Sequence, residues 1–268
     1  MRIGLHPAIC GWDVDLTADY CRYMGVTDLF YQLHDVEGYQ DGGFEDAGAI
    51  DRLSAKFKAA GLRLSAVNDF LPDTVEAIER RCDGLTATID LLARAGVETL
   101  ILFVLQSESD ELWMSIAGLY ETLVPRAQSA GIKIATHGHW CSGHLAYNRE
   151  TLQRIIDCSP GPANGICLCA GCFHQAGEDP AAIVREMPDR IHCAHIRDTS
   201  LVGGCELEEL PLGSGTVPSA STLRALVDIG YGGLIIPEHL SSVKAQSNME
   251  TTHAHAVGYI RGILKAME

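Results

Sequence analysis

The chain has 268 residues, with 20 Lys and Arg against 35 Asp and Glu, giving a formal charge of −15. That acidic surplus excludes a nucleic-acid binder, which needs a clustered basic face, while 47% apolar and 21% charged residues are a globular rather than a disordered composition. No apolar run approaches the ~18 residues that span a bilayer, so no membrane partner is expected.

The N-terminal stretch lacks the apolar core of a secretory leader. The ten cysteines are therefore expected as reduced thiols in a cytoplasm rather than as a disulfide framework.

Short β-prone apolar runs begin near Arg2, Val26, Leu62, Val97, Ile132, Gly165, Ile191 and Gly233. Helical stretches read as Asp51 to Ala60, Thr74 to Ala95, Asp110 to Ala130, Glu150 to Asp157, Pro180 to Met187, Ser219 to Ile229 and Glu250 to Met267. Gly61, Gly96, Gly131 and Gly230 stand where a helix can end in the left-handed conformation before the next strand. Eight βα units in 268 residues, about 33 residues each, predict a single (β/α)8 barrel domain over residues 1–268. A doubly wound sheet is the competing architecture, but no Gly-rich phosphate fingerprint follows the first strand.

A barrel enzyme carries its chemistry on the C-terminal ends of the strands. Seven of the 11 histidines lie at or just beyond predicted strand ends: His6, His34, His137, His139, His174, His195 and His239. Such clustering points to a metal site. Strand alternation selects the ligands, because every second side chain points inward. One inward donor from each of strands five to eight gives His137, Cys169, His195 and Glu238. Two imidazoles, a thiolate and a carboxylate hold a divalent ion and leave positions for substrate. The mixture of hard and soft donors leaves Mn²⁺, Fe²⁺, Co²⁺ and Zn²⁺ open.

Other features have plainer readings. Cys169-Ala170-Gly171-Cys172 spells C-x-x-C, yet a zinc ribbon needs a second close pair, and a thioredoxin-like motif belongs to a much smaller domain. His253 and His255 are two apart on a helix and are expected on the surface. The run Glu206 to Glu209 reads as a solvated loop face. Gly213-Ser214-Gly215 offers amides that could cradle a phosphate, although a plain turn explains it as well.

Four stretches resemble the mannonate dehydratases, metal-dependent barrel enzymes related to the xylose isomerase-like isomerases and epimerases. They are Leu33-His34-Asp35-Val36-Glu37-Gly38, Cys167-Leu168-Cys169-Ala170-Gly171, Arg190 to Asp198, and Pro237-Glu238-His239. Pro211-Leu212-Gly213-Ser214-Gly215 fits a Gly-Ser-Gly segment of that family as well. The chain resembles a short, divergent member. Here Gly138-His139-Trp140-Cys141 follows the strand-five His where the family has Pro and two acidic residues, and Glu238 replaces an Asp.

The resemblance implies the same four ligands, His137, Cys169, His195 and Glu238, with Mn²⁺ as the usual ion and His239 as catalytic acid/base. It implies dehydration of a sugar acid, a D-mannonate-like aldonate, to a 2-keto-3-deoxy acid. Arg197 has the fork to pair with a substrate carboxylate, or else is tied to Asp198 or a loop carboxylate. His34 is a further catalytic candidate, and His139 and Tyr31 are candidates for binding substrate. A metal-dependent sugar isomerase or epimerase on the same barrel is the alternative, and a non-catalytic sugar-binding protein a more distant one. The expected partner is a small sugar or sugar acid, with a homo-oligomer, plausibly a dimer.

Overall fold

The computed structural model describes residues 1–7, 13–203, 206–239 and 249–268. The first half runs β1 (Arg2–Leu5), α1 (Val14–Met24), β2 (Asp28–Gln32), a small hairpin of β3 (Tyr39–Gln40) and β4 (Gly43–Phe44), α2 (Ala49–Ala59), β5 (Arg63–Phe70), α3 (Val75–Ala95), β6 (Thr99–Phe103) and α4 (Asp110–Ala130). The second half runs β7 (Lys133–His137), α5 (Arg149–Cys158), β8 (Asn164–Cys169), α6 (Ala170–Gln175), α7 (Pro180–Glu186) and β9 (Ile191–Ile196). A hairpin of β10 (Asp198–Gly203) and β11 (Glu206–Leu210) follows, then α8 (Ser219–Asp228), β12 (Leu234–Pro237) and α9 (Met249–Lys265). Eight parallel strands close in the order β1-β12-β9-β8-β7-β6-β5-β2. This is the (β/α)8 barrel expected from the sequence.

Strand alternation divides the apolar residues into two cores. Phe30, Ala66, Ile101, Ala135, Cys167, Cys193 and Ile236 fill the barrel interior. Their strand neighbours Leu29, Val67, Leu100, Ile134, Leu168 and Ala194 pack outward under the helices. Gly96 and Gly131 end α3 and α4 in the left-handed region, at φ 81° and 75°, as the sequence predicts.

At the N-terminal rim the buried Asp28 carboxylate accepts from Arg2 at 2.9 Å, Arg63 at 2.7 Å and Ser65 Oγ at 2.6 Å. This cluster ties β1, β2 and β5 together at the end of the barrel opposite the chemistry.

Several elements depart from the sequence reading. Helix α1 mixes Thr17, Tyr20, Cys21 and Tyr23, weak helix formers, so propensity does not reveal it. It is held by the Asp13 cap on the Leu16 amide and by burial of Ala18, Cys21 and Met24. The acidic run Glu206 to Glu209 is not a solvated loop but strand β11, whose pairing with β10 overrides the low β-propensity of Glu.

Among the described residues seven cysteines are free thiols, whereas Cys141 is disulfide-bonded. The expectation that all ten stay reduced is therefore corrected. Cys141 sits buried in the loop after β7, and sequence spacing does not reveal which sulfurs a loop brings together. Among the described residues no helix is long and apolar enough to cross a membrane.

Candidate metal centre and active site

The strands bring His137, Cys169, His195 and Glu238 together at the C-terminal mouth. His195 Nδ1 lies 3.0 Å from Glu238 Oε1, and His137 Nε2 lies 3.6 Å from Glu238 Oε2. The Cys169 thiol lies 3.6 Å from the same Glu238 oxygen. Their convergence follows from register: Cys169 pairs with His195 across β8 and β9, and Ile236, two residues before Glu238, pairs with His195 across β12 and β9.

Both nitrogens of His137 and both of His195 are buried without a properly directed hydrogen bond. Leaving four such atoms unsatisfied is costly in a packed interior. The donor set therefore fits a cation, which would take up one lone pair from each ring.

Charge is coupled tightly here. Burial would raise the Glu238 carboxyl, yet His195 and His137 hold it well below the usual carboxylate range. Burial would depress the two imidazoles, but Glu238 beside them raises both, His195 the more. Burial, with Cys172 adjoining, pushes the Cys169 thiol well up. A cation in the mouth reverses that preference, because it favours the thiolate.

Above these groups opens a cavity of about 480 Å³. Phe30, Phe70, Phe103 and Ile236 form an apolar wall, and His6, Gln32, His139, Arg197 and His239 contribute polar atoms. Phe103 stacks on His137 with ring centroids 4.2 Å apart, and Phe30 meets His195 edge-on at 5.7 Å. These rings fix the imidazole planes.

His239 sits half-exposed at the rim with Nε2 3.9 Å from Glu238 Oε1 and Nδ1 3.7 Å from Glu209 Oε1. Its φ is 45°, in the left-handed region that a non-glycine residue occupies at a cost of about 1–3 kcal/mol. Burial lowers its basicity, with Glu238 opposing and Arg197 assisting.

Arg197 is 1% exposed. Its Nε and Nη2 donate to the two oxygens of Glu209 on β11, and its Nη1 lies 3.9 Å from Cys172 Sγ. A loop carboxylate thus fills the fork expected to receive substrate. Gly171 makes room for this arginine, since a Cβ there would stand 2.4 Å from Arg197 Cγ. His139 lines the cavity between Trp140 and His144, stacked at 4.1 and 4.0 Å. Burial, with His144 beside it, lowers its pKa to about 4.

Tyr31 and His34 are not brought into the cavity. Tyr31 faces outward in the helix layer, 6.1 Å from the Phe57 ring, and its neighbours Phe30 and Gln32 line the mouth instead. Strand alternation sets that phase, since Phe30 and Gln32 share one face of β2 and Leu29 and Tyr31 the other. His34 lies beyond the end of β2, 3.6 Å from Asp35 and tilted against Phe70 at 5.9 Å. His174 bonds Thr216 Oγ1 at 3.1 Å, outside the donor cluster.

His253, expected on the surface, is buried and lines the cavity from α9. Reading the i,i+2 spacing in isolation missed it, because Ala256, Val257 and Ile260 mark the inward face of that helix. The amides of Gly213 and Gly215 donate to Asp198 Oδ2 at 2.8 and 3.0 Å, and those of Thr199 and Val217 to Oδ1 at 3.0 and 3.1 Å. The Gly-Ser-Gly turn therefore encloses a carboxylate of the chain itself.

The sequence model of the family described as xylose isomerase-like TIM barrel matches residues 22–262. A mannonate dehydratase of Enterococcus faecalis is 28% identical over 173 residues, which cover 59% of this chain and 48% of that protein. Across the first curated relatives, the matched part spans 39–61% of the relative's length. Among solved structures, mannonate dehydratase from Streptococcus suis serotype 2 superposes with a TM-score of 0.83 at 15% identity, covering 99% of this chain and 93% of that one. The IOLI protein, solved with a binding zinc atom, gives a TM-score of 0.80 at 16% identity, with 99% of each chain covered. At these identities the structures establish the shared fold.

Proposed function

The chain belongs to the xylose isomerase-like TIM barrel family, and from that membership we propose that it is a metal-dependent lyase that dehydrates a sugar acid, a mannonate-like aldonate, to a 2-keto-3-deoxy acid. The observation that carries this reading is the convergence of His137, Cys169, His195 and Glu238 around four buried, unsatisfied imidazole nitrogens. The similarity to mannonate dehydratases supports the choice of reaction.

In this reading the four residues hold a divalent ion, Mn²⁺ by that similarity, with Fe²⁺, Co²⁺ or Zn²⁺ compatible with the donors. A bound cation supplies Lewis-acid charge for a substrate carboxylate and its neighbouring hydroxyl. His239 is the acid/base: its ring stands at the rim beside Glu238, within reach of the cavity. Phe30, Phe70 and Phe103 give the cavity an apolar wall beside these groups.

One observation favours a second reading. Arg197 is the only Arg or Lys among the described residues lining the cavity, and Glu209 occupies its fork. A neutral ketose needs no such cation, so a sugar isomerase or epimerase fits that feature.

Proton NMR in D₂O of Mn²⁺-loaded protein with a panel of aldonates and ketoses separates the two. Methylene signals of a 3-deoxy-2-keto acid are the expected result. Interconversion of sugars without a deoxy product overturns the lyase reading in favour of the second.

A further inference from the structure

The four donors above do not exhaust the sulfur at the mouth. Cys169 ends β8, and Cys172 lies in the first turn of α6. Ala170 and Gly171 open that helix directly after β8, and the two thiols and an imidazole nitrogen of His137 all lie within 4.8 Å of one another. All three residues are buried, and both cysteines are free thiols. His137 is 3% exposed, and neither of its ring nitrogens has a hydrogen-bond partner. The Arg197 guanidinium stands 3.9 Å from the Cys172 sulfur.

We propose that Cys172 is a second thiolate donor at this centre. Together with Cys169 and His137 it forms a sulfur-rich cluster at the mouth, beside Glu238. The inference rests on the reading of the mouth as a metal centre and extends it.

Each thiol loses its proton to solvent on ligation, so ion binding releases protons. Two thiolates shift preference away from Mn²⁺ and towards Zn²⁺, Co²⁺ or Fe²⁺, because carboxylate and water oxygens suit Mn²⁺ whereas thiolates suit softer ions. A buried cysteine otherwise behaves as a small hydrophobe, and that is the reading to be beaten.

A second buried group, His137 with Cys167 and His195, competes for the same imidazole. Cys167 is two residues deeper on β8 and belongs to the apolar interior with Cys193, so the mouth position is the better placed for substrate.

The test uses the full chain, stripped with chelator and titrated with Co²⁺, Zn²⁺ and Mn²⁺. The wild type is expected to show a sulfur-to-cobalt charge-transfer band. Cys172→Ser and Cys172→Ala should each lose about half its intensity and bind Zn²⁺ about tenfold more weakly relative to Mn²⁺. Cys167→Ser should retain both.

No band in the wild type overturns the metal-centre reading itself. A band left unchanged by both Cys172 variants overturns the inference alone, and a band lost in Cys167→Ser moves the ion to the deeper group and overturns it too. X-ray absorption of the Zn²⁺-loaded wild type needs no variant. Two sulfur scatterers at about 2.3 Å are expected, and one sulfur refutes the assignment.

Discussion

Arg197 and Glu209 form a two-pronged ion pair across the mouth of the barrel, Nε and Nη2 donating to the two carboxylate oxygens. The arginine follows β9 directly, and the carboxylate comes from the returning strand of the hairpin inserted before α8. The chain's own carboxylate thus occupies the fork that was expected to receive a substrate carboxylate.

Glu209→Gln removes that competing charge. If the substrate is a sugar acid, the freed fork gains charge-assisted bonds of about 1.5–3 kcal/mol, and KM for the aldonate falls about tenfold or more. Steady-state kinetics on matched acid and neutral sugars measures this. An unchanged acid-to-neutral preference would show that Arg197 does not meet substrate and would support the isomerase reading.

His239→Asn should lower kcat by about 10²–10⁴-fold, the contribution of a positioned acid/base, with metal content unchanged. Asn tolerates the left-handed backbone at this position, so the fold is spared. Metal analysis beside turnover decides: loss of the bound ion would make His239 a ligand instead.

Asp28→Asn acts at the opposite rim. It strips the charge from a buried carboxylate shared by Arg2, Arg63 and Ser65, an effect of about 3–5 kcal/mol for a broken buried pair. Tm should fall by roughly 6–15 °C for a domain of this size, while kcat at 25 °C stays the same. A variant that loses activity without losing stability would contradict the division of labour between the two rims.

His192 gives a pH dependence of stability. Its ring is buried, Nδ1 donates to Ile134 O at 2.8 Å, and desolvation lowers its pKa to about 4. The unfolded chain, with a pKa of ~6.5, takes up the proton first. The stability is therefore fully present above pH ~6.5 and declines as pH falls towards 4, by on the order of 3 kcal/mol. Denaturant midpoints of the wild type and His192→Gln from pH 7.5 to 4.5 test it. Parallel curves would mean that His192 does not couple folding to protons.

The positions of His137, Cys169, His195 and Glu238 were legible because two regularities suffice: strand ends face the site, and alternate residues face inward. Both depend only on local chain geometry. Tyr31 lies on the opposite face from Phe30 and Gln32, in a strand buried on both faces, where an aromatic fits the helix layer as well as the mouth. Glu209 was hidden for another reason: its partner lies 12 residues away across a hairpin, and an acidic run looks the same in solvent or against an arginine. His253 arrives from a helix more than a hundred residues beyond its cavity neighbours Phe103 and His139, a proximity only closure of the barrel creates.

The carboxylate of Asp198 holds four backbone amides contributed by Thr199, Gly213, Gly215 and Val217. Barrels commonly use the turns after their seventh and eighth strands to grip phosphate esters, and here that grip is closed from within. A phosphorylated sugar would find no vacant amide among these four, and opening them would expose a buried anion. This turn, at least, is not a phosphate cradle, and inorganic phosphate is not expected to bind there.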